Sequence, residues 1–146
     1  MNAYPAEVLD EDEDDGTMPN NVATLAESVI GRRIVSVEKR DIPLSYAPQY
    51  SEPGHVITLD DGREVLLVDG GDCCAYTSLE SFLLHADKID HAITGVGTTD
   101  GYTKWHIYAD MGDVLELSVG WSCGNPFYYG YGFDITVTER GSSRDD

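Results

Sequence analysis

The sequence is poor in basic residues. It holds nine Lys and Arg residues against 27 Asp and Glu residues in a chain of 146, which gives a formal net charge of −18 and an isoelectric point near 4.2. Because proteins gain affinity for nucleic acids mainly through Lys and Arg side chains that neutralise phosphates, this composition disfavours direct binding to nucleic acid. A protein partner with a basic surface fits the charge better.

Long apolar runs and export signals are also lacking. No stretch approaches the roughly 20 apolar residues that a membrane-spanning helix needs, and the first residues do not have the pattern of a secretory signal. Three cysteines, an odd number, in a chain without an export signal favour reduced thiols over a disulfide framework. We therefore expect a cytoplasmic protein that does not bind membranes.

Negative charge is abundant, and much of it lies near the amino end. There an unbroken acidic run is formed by Asp10, Glu11, Asp12, Glu13, Asp14 and Asp15. Like charges in such a block repel one another and stay solvated. The sequence predicts a disordered acidic tail over residues 1–20, a single folded domain over 21–140 and a second disordered tail over 141–146. The acidic run is either a solubilising tail or a handle for a basic protein surface.

The periodicity of residues 21–140 predicts an α+β fold. A first helix is expected in NVATLAESVIG after a cap at Asn20 or Asn21, and a second in DCCAYTSLESFLLHADKID, where Leu79, Phe82 and Leu83 have helical spacing. The remaining segments alternate between β-rich runs and turn residues, and the proline-rich segment 41–54 is expected to be a long loop. We predict an antiparallel sheet of about six or seven strands with both helices packed on one face.

The chain contains a candidate internal repeat. Residues 56–74 align without a gap over residues 106–124, so that Ile57 matches Ile107 and Gly62 matches Gly112. The match predicts two related halves, each made of a helix, a strand and a hairpin. Two strand-rich segments with similar turns also align this well by chance, so both interpretations stay open.

Several short motifs have the order of a known family. They are Asp72-Cys73-Cys74 at the end of a hairpin, Trp105 and Tyr108 in one strand, Gly112 in a turn, and Asn125 followed by Tyr128 and Tyr129. Over residues 55–138 this order resembles a small domain family of unknown function found in tailed phages and in bacteria. The chain departs from the pattern at Cys123 and at Pro126-Phe127. The resemblance implies a phage or prophage origin and an accessory role in the host cytoplasm.

The adjacent cysteines, Cys73 and Cys74, have three interpretations. With Cys123, His85 and His106 they would supply zinc ligands, but neighbouring side chains in a strand point to opposite faces and chelate poorly. A catalytic thiol needs a lowered pKa, which the surrounding acidic residues oppose. Packing, with one cysteine towards the core and its neighbour nearer the surface, is the expected role. We predict no metal site, no cofactor and no enzymatic activity, since Ser122 in GWSCG also lacks the strand-to-helix turn of a hydrolase nucleophile.

The segment GWSCGNPFYYGYG, 120–132, has the composition of a binding surface. Large aromatic side chains beside adaptable glycines offer contact area at low entropic cost. Alternation along the final strand favours instead an inward orientation of several of these rings. The predicted surface consists of Trp121, Asn125, Phe127, Tyr128, Tyr129 and Tyr131, with a second loop contributing Tyr46 and Tyr50.

Three hypotheses for the function follow. The first is a non-enzymatic accessory protein that binds a host or phage protein with a basic surface, for instance to inhibit a defence or nucleic-acid-handling factor. The second is a binder of a small nucleotide-like ligand that stacks on the aromatic segment. The third is a minor virion component. The acidity and the absence of a catalytic set favour the first.

Overall fold

A computed structural model describes residues 4, 7–9, 16–43, 47, 49–71, 74–124 and 131–138. These residues form one α-helix, a short 3-10 turn at Ala86–Lys88 and nine strands. In chain order the elements are α1 (Thr17–Val29), β1 (Ile34–Pro43), β2 (Ser51–Leu59), β3 (Glu64–Val68), β4 (Gly70–Gly71), β5 (Tyr76–Leu84), β6 (Gly95–Thr99), β7 (Lys104–Ala109), β8 (Gly112–Ser122) and β9 (Asp134–Thr138). The predicted α+β fold with two helices is therefore wrong, because the described residues are mostly β.

The strands form two antiparallel sheets. One has the order β1-β2-β3-β9 and the other the order β4-β5-β8-β7-β6. In each sheet three consecutive strands form a meander, and the next long strand crosses to the other sheet: β5 pairs with β8, and β9 pairs with β3. The inner faces of both sheets contribute to one apolar core, which includes Ile57, Leu67, Trp105, Leu117 and Val119.

The central hairpins of the two meanders have the same register. In the first sheet Val56 pairs with Leu66 and Ile57 with Val65, and in the second His106 pairs with Glu116 and Ile107 with Leu115. Each residue of the second set lies 50 positions after its counterpart (56 + 50 = 106), which is the offset of the ungapped sequence alignment. The correspondence ends at a bulge between Ile107 and Tyr108.

The predicted second helix is a strand. Residues 76–84 form β5, which pairs with β8 through a register shift between Leu79 and Ser81. The extra residue, Glu80, moves the inward positions from Thr77 and Leu79 to Phe82 and Leu84, and this interrupted alternation imitates helical spacing. As a strand, residues 76–84 form backbone hydrogen bonds with β8, and Phe82 packs against the core.

The predicted first helix is confirmed, with an earlier start. It begins at Thr17, inside the segment assigned to the acidic tail, and follows Gly16, whose φ of 92° is left-handed. Met18, Leu25 and Val29 are fully buried on its inner face. The helix contacts β6 and β9, which are edge strands of the two sheets, so it closes one side of the core. No helix in the described part of the chain has the length and apolar character that crossing a membrane requires.

The proline-rich segment is less of a loop than predicted. β1 continues to Pro43 and β2 begins at Ser51, so part of 41–54 is strand. Pro43 lies on an edge strand, where a missing N–H does not break a ladder on both sides. Pro53 precedes the part of β2 that pairs with β3, which begins at Gly54.

Candidate functional site

The outer face of the second sheet carries a group of ionisable side chains. His106 lies on β7, Asp113 and Glu116 lie on β8, and His85 follows β5 directly. His106 and Glu116 are register partners, so their side chains project from the same face of the sheet. The antiparallel pairing thus brings together residues that are separated by up to 31 positions in the chain.

Short polar contacts link these side chains. Nδ1 of His106 lies 2.9 Å from Oδ2 of Asp113, and Nε2 of the same ring lies 2.9 Å from Oγ1 of Thr99. Nε2 of His85 lies 2.6 Å from Oε2 of Glu116. One ligand atom each from His106, Asp113 and Glu116 lie within 4.8 Å of one another. We call His85, His106, Asp113 and Glu116 the polar cluster.

Tyr4 lies over the polar cluster. Its ring stacks on His106 with a centroid distance of 4.1 Å, and its hydroxyl donates a hydrogen bond of 2.7 Å to Oδ1 of Asp113. Burial raises the pKa of Tyr4, and the hydrogen bond to Asp113 and its negative charge raise it further, so the phenol stays a donor. A Cβ at Gly97 would collide with Tyr4, so this approach needs a residue without a side chain.

Glu7 anchors the same amino-terminal segment beside the cluster. Its carboxylate accepts hydrogen bonds from the backbone N–H of Gly101 at 2.7 Å and of Tyr102 at 2.9 Å. Desolvation alone would raise the pKa of Glu7, but hydrogen bonds from Thr98 and from these two N–H groups lower it overall. Glu7 is therefore held as a carboxylate.

The polar cluster has the donor set of a cation site. Imidazole nitrogen and carboxylate oxygen together suit first-row divalent metals. The order Thr99, His106, Asp113 also matches a hydroxyl–imidazole–carboxylate triad. Acyl transfer would need an accessible nucleophile and free oxyanion donors, yet Tyr4 lies on the imidazole and the neighbouring N–H pair binds Glu7. Metal coordination fits the arrangement better.

The predicted aromatic surface lies partly within the structure. Trp121 stacks on Tyr131 at a centroid distance of 5.6 Å and donates from Nε1 to the carbonyl of Gly101. Tyr131 is buried, at 8% exposure, whereas Tyr50 is 64% exposed. Outside the described residues lie Tyr46, Asn125, Phe127, Tyr128, Tyr129 and the acidic run Asp10, Glu11, Asp12, Glu13, Asp14 and Asp15. The binding role of this surface stays a prediction.

Two of the cysteines lie within the described residues. Cys74 is exposed and Cys123 is buried. Asp72 and Cys73 lie outside the described residues. Packing remains the expected role of Cys123, which belongs to the main core.

The polar cluster was not predicted from the sequence: the zinc ligands considered there were the cysteines with His85 and His106, without Asp113 and Glu116. The signal was present in HIYADMGDVLE, 106–116, where turn residues separate two β-rich runs. Folding that segment as a hairpin places His106 opposite Glu116, as the structure does. Thr99 directly precedes the Asp100-Gly101 turn of the β6–β7 hairpin, whereas His85 comes from a segment whose register no turn residue reveals.

The comparison with family models places the chain in an uncharacterised domain family, which is consistent with the resemblance seen in the sequence. A family model described as "Domain of unknown function (DUF7448)" matches residues 27–135, which is more than half of the chain and includes the polar cluster. The comparisons with curated proteins and with solved structures gave no significant match. A phage origin and the Asp72-Cys73-Cys74 motif stay predictions. The chain belongs to the domain family of unknown function DUF7448.

Proposed function

We propose that the protein binds one divalent first-row transition-metal ion at the polar cluster. The observation that carries the proposal is the convergence of His106, Asp113 and Glu116, whose ligand atoms lie within 4.8 Å of one another. Two carboxylates and an imidazole favour Zn²⁺, Mn²⁺ or Fe²⁺ over Mg²⁺ and Ca²⁺, which prefer oxygen ligands alone. His85, whose Nε2 lies 2.6 Å from Oε2 of Glu116, is a second imidazole beside the site.

Neighbouring hydrogen bonds orient the proposed ligands. If Nε2 of His106 donates to Thr99, its Nδ1 lone pair points towards Asp113, where a metal would lie. The Tyr4 hydroxyl binds Oδ1 of Asp113 and leaves Oδ2 for the metal. Such outer hydrogen bonds fix the tautomer and the direction of metal ligands. They support a prepared site over a chance group of surface charges.

The corresponding position in the first sheet is apolar. At the offset of 50 residues, His106 and Glu116 correspond to Val56 and Leu66, which belong to a small apolar cluster with Ile42 and Val68. We propose that the two meanders derive from a duplication and that only the second acquired polar ligands. The fold accommodates an apolar pair at the corresponding position of the first sheet, so the pairing of the strands alone does not require polar residues at His106 and Glu116.

Titration of the metal-free protein with Co²⁺ and Zn²⁺ tests the proposal. We expect one ion per chain, with visible Co²⁺ absorption bands and a calorimetric signal for Zn²⁺. Asp113→Asn and Glu116→Gln should each weaken binding by about 10-fold or more, because each removes a ligand charge while preserving shape. The matched control is His91→Gln, since His91 and Asp110 form a similar imidazole–carboxylate pair on the exposed surface.

The contradicting results are also specific. Metal binding that His91→Gln abolishes, or that Asp113→Asn and Glu116→Gln leave unchanged, would place the ion elsewhere. Failure of the wild-type protein to bind either ion at micromolar concentration would show that the polar cluster is a structural hydrogen-bond network. Melting temperatures of all variants establish that they are folded.

The sequence-based hypothesis of an accessory phage-type protein in the host cytoplasm is kept as a second proposal. The net charge of −18 supports a host or phage protein partner with a basic surface. A nucleotide-like ligand on the aromatic segment and a place in the virion are weaker alternatives. Affinity capture with the intact protein and a Trp121→Ala control, at low and high salt, tests the partner hypothesis.

A further inference from the structure

Described residues of the amino-terminal segment contact the second sheet and the turn after β6 as a bound peptide would. Tyr4 stacks on His106, Glu7 binds two backbone N–H groups, and Leu9 packs against the main core. Val8, between two anchors, is 93% exposed. The hydroxyl of Tyr102 also donates to the backbone carbonyl of Glu7 at 3.2 Å. Side-chain anchors at Tyr4, Glu7 and Leu9, with solvent-facing Val8, are contacts that a peptide bound on a protein surface makes.

The surface that these residues contact includes a binding site for a carboxylate. Asp100, Gly101 and Tyr102 have consecutive φ values of 59°, 67° and 62°, so all three are left-handed. This conformation is costly for a bulky residue such as Tyr102, and it directs successive N–H groups to one point. The buried indole of Trp105 holds the turn by donating to the carbonyl of Tyr102 at 2.9 Å. The N–H groups of Gly101 and Tyr102 in this turn donate to one carboxylate, that of Glu7.

We propose that this surface is a peptide-binding site. It recognises an aromatic residue three positions before a glutamate, in the pattern Tyr-x-x-Glu-x-Leu. The chain's own segment occupies it, and the same pattern in a partner protein replaces that segment. The occupant is an acidic extended peptide, since the recognised group is a carboxylate in the N–H pair of Gly101 and Tyr102. Tyr4 contacts His106 and Asp113, which are proposed metal ligands, whereas Glu7 binds the N–H groups of Gly101 and Tyr102. Recognition of the glutamate, measured with metal-free protein, is therefore tested separately from metal binding.

Competition between the internal segment and a free peptide tests the proposal. The probe is a fluorescent peptide of residues 1–9, titrated against full-length wild-type protein and the full-length double variant Tyr4→Ala/Glu7→Ala. We expect the double variant to bind the probe at least about 10-fold more tightly, because the tethered wild-type segment competes at a high effective concentration. A second variant, Glu7→Gln, keeps the shape and should give an intermediate affinity.

Two probe variants locate the recognition. The peptide with Glu7→Ala should lose at least about 10-fold in affinity, whereas the peptide with Val8→Ala should bind unchanged, because Val8 faces solvent. Amide NMR signals of Gly101 and Tyr102 should shift in the double variant and return when the probe binds. The proposal is overturned if folded Glu7→Gln and double variants bind the probe no better than wild type, or if the Glu7→Ala peptide binds as well as the native peptide.

Discussion

His55 is a buried histidine whose environment opposes protonation. It lies on the inner side of β2, with its ring edge-on to Phe82 at a centroid distance of 5.6 Å. Its Nδ1 is buried and has no hydrogen-bond partner among the described residues. Desolvation lowers the pKa of His55, Lys39 lowers it further, and the negative charge of Asp69 only partly opposes this. The folded state therefore resists a proton that the unfolded chain accepts.

The free energy of unfolding should fall as the pH falls below about 6.5, the ordinary pKa of histidine. In that window the unfolded chain binds the proton and the folded chain does not, so stability rises with pH, by at most about 1.4 kcal/mol per pH unit for one group. His55→Phe keeps the contact with Phe82 and should flatten this dependence. Urea unfolding of both proteins at pH 7.5, 6.5 and 5.5 measures the difference. Parallel curves for the two proteins would show that other groups cause the loss.

Single residues also show where the sequence was informative. Gly62, expected in the first hairpin turn, has a φ of 90°, and Gly112 in the second has a φ of 117°. Turn chemistry is local, so the sequence predicts it well. Tyr102 has a φ of 62°, a left-handed conformation that is unfavourable for a bulky residue, whereas Asp100 is of a type that enters this region more readily. Contacts with Trp105 and Glu7 hold Tyr102 in place, and no local pattern reveals such contacts.

At the scale of elements, β5 shows why one prediction failed. Leu79, Phe82 and Leu83 have helical spacing, yet Leu83 faces outwards at 56% exposure. The bulge at Glu80 accounts for the spacing, and only the partner strand β8 determines that a bulge forms there. The β2–β3 hairpin is indicated by local sequence, because Asp60, Asp61 and Gly62 separate its two β-rich runs. Local periodicity does not predict which distant strands pair, as β5 does with β8 and β3 with β9.

The side chain of Asn21 hydrogen-bonds helix α1 to the residue before β9, which gives a test at this scale. The Oδ1 of Asn21 accepts from the N–H of Phe133 at 2.6 Å, and its Nδ2 donates to the carbonyl of Phe133 at 3.1 Å. Asn21→Ala leaves both backbone groups without this partner and should cost about 1–3 kcal/mol of unfolding free energy. Asn20→Ala, at an exposed neighbouring position, is the matched control. Chemical denaturation measures both, and equal losses would mean that helix propensity, rather than this contact, matters.

For the whole molecule, the dominant sequence feature is its charge. Most described basic side chains are already paired: Arg32, Arg33 and Arg63 contact Asp60 or Asp61, and Arg40 contacts Glu38 and Glu64. These pairs lie at the surface, where each contributes little stability. The remaining carboxylates have few positive neighbours to offset them. Self-repulsion should therefore outweigh these ion pairs in the folded state.

Raising NaCl from about 20 mM to about 300 mM should accordingly raise the melting temperature at pH 7, because the Debye length shortens and repulsion between carboxylates is screened. The control is the same comparison near pH 5, closer to the isoelectric point of about 4.2, where the net charge is smaller and the increment should shrink. Differential scanning calorimetry at both pH values measures the two increments. A melting temperature that falls with salt at pH 7 would show that the surface ion pairs of the Arg and Asp residues outweigh the repulsion of the whole chain.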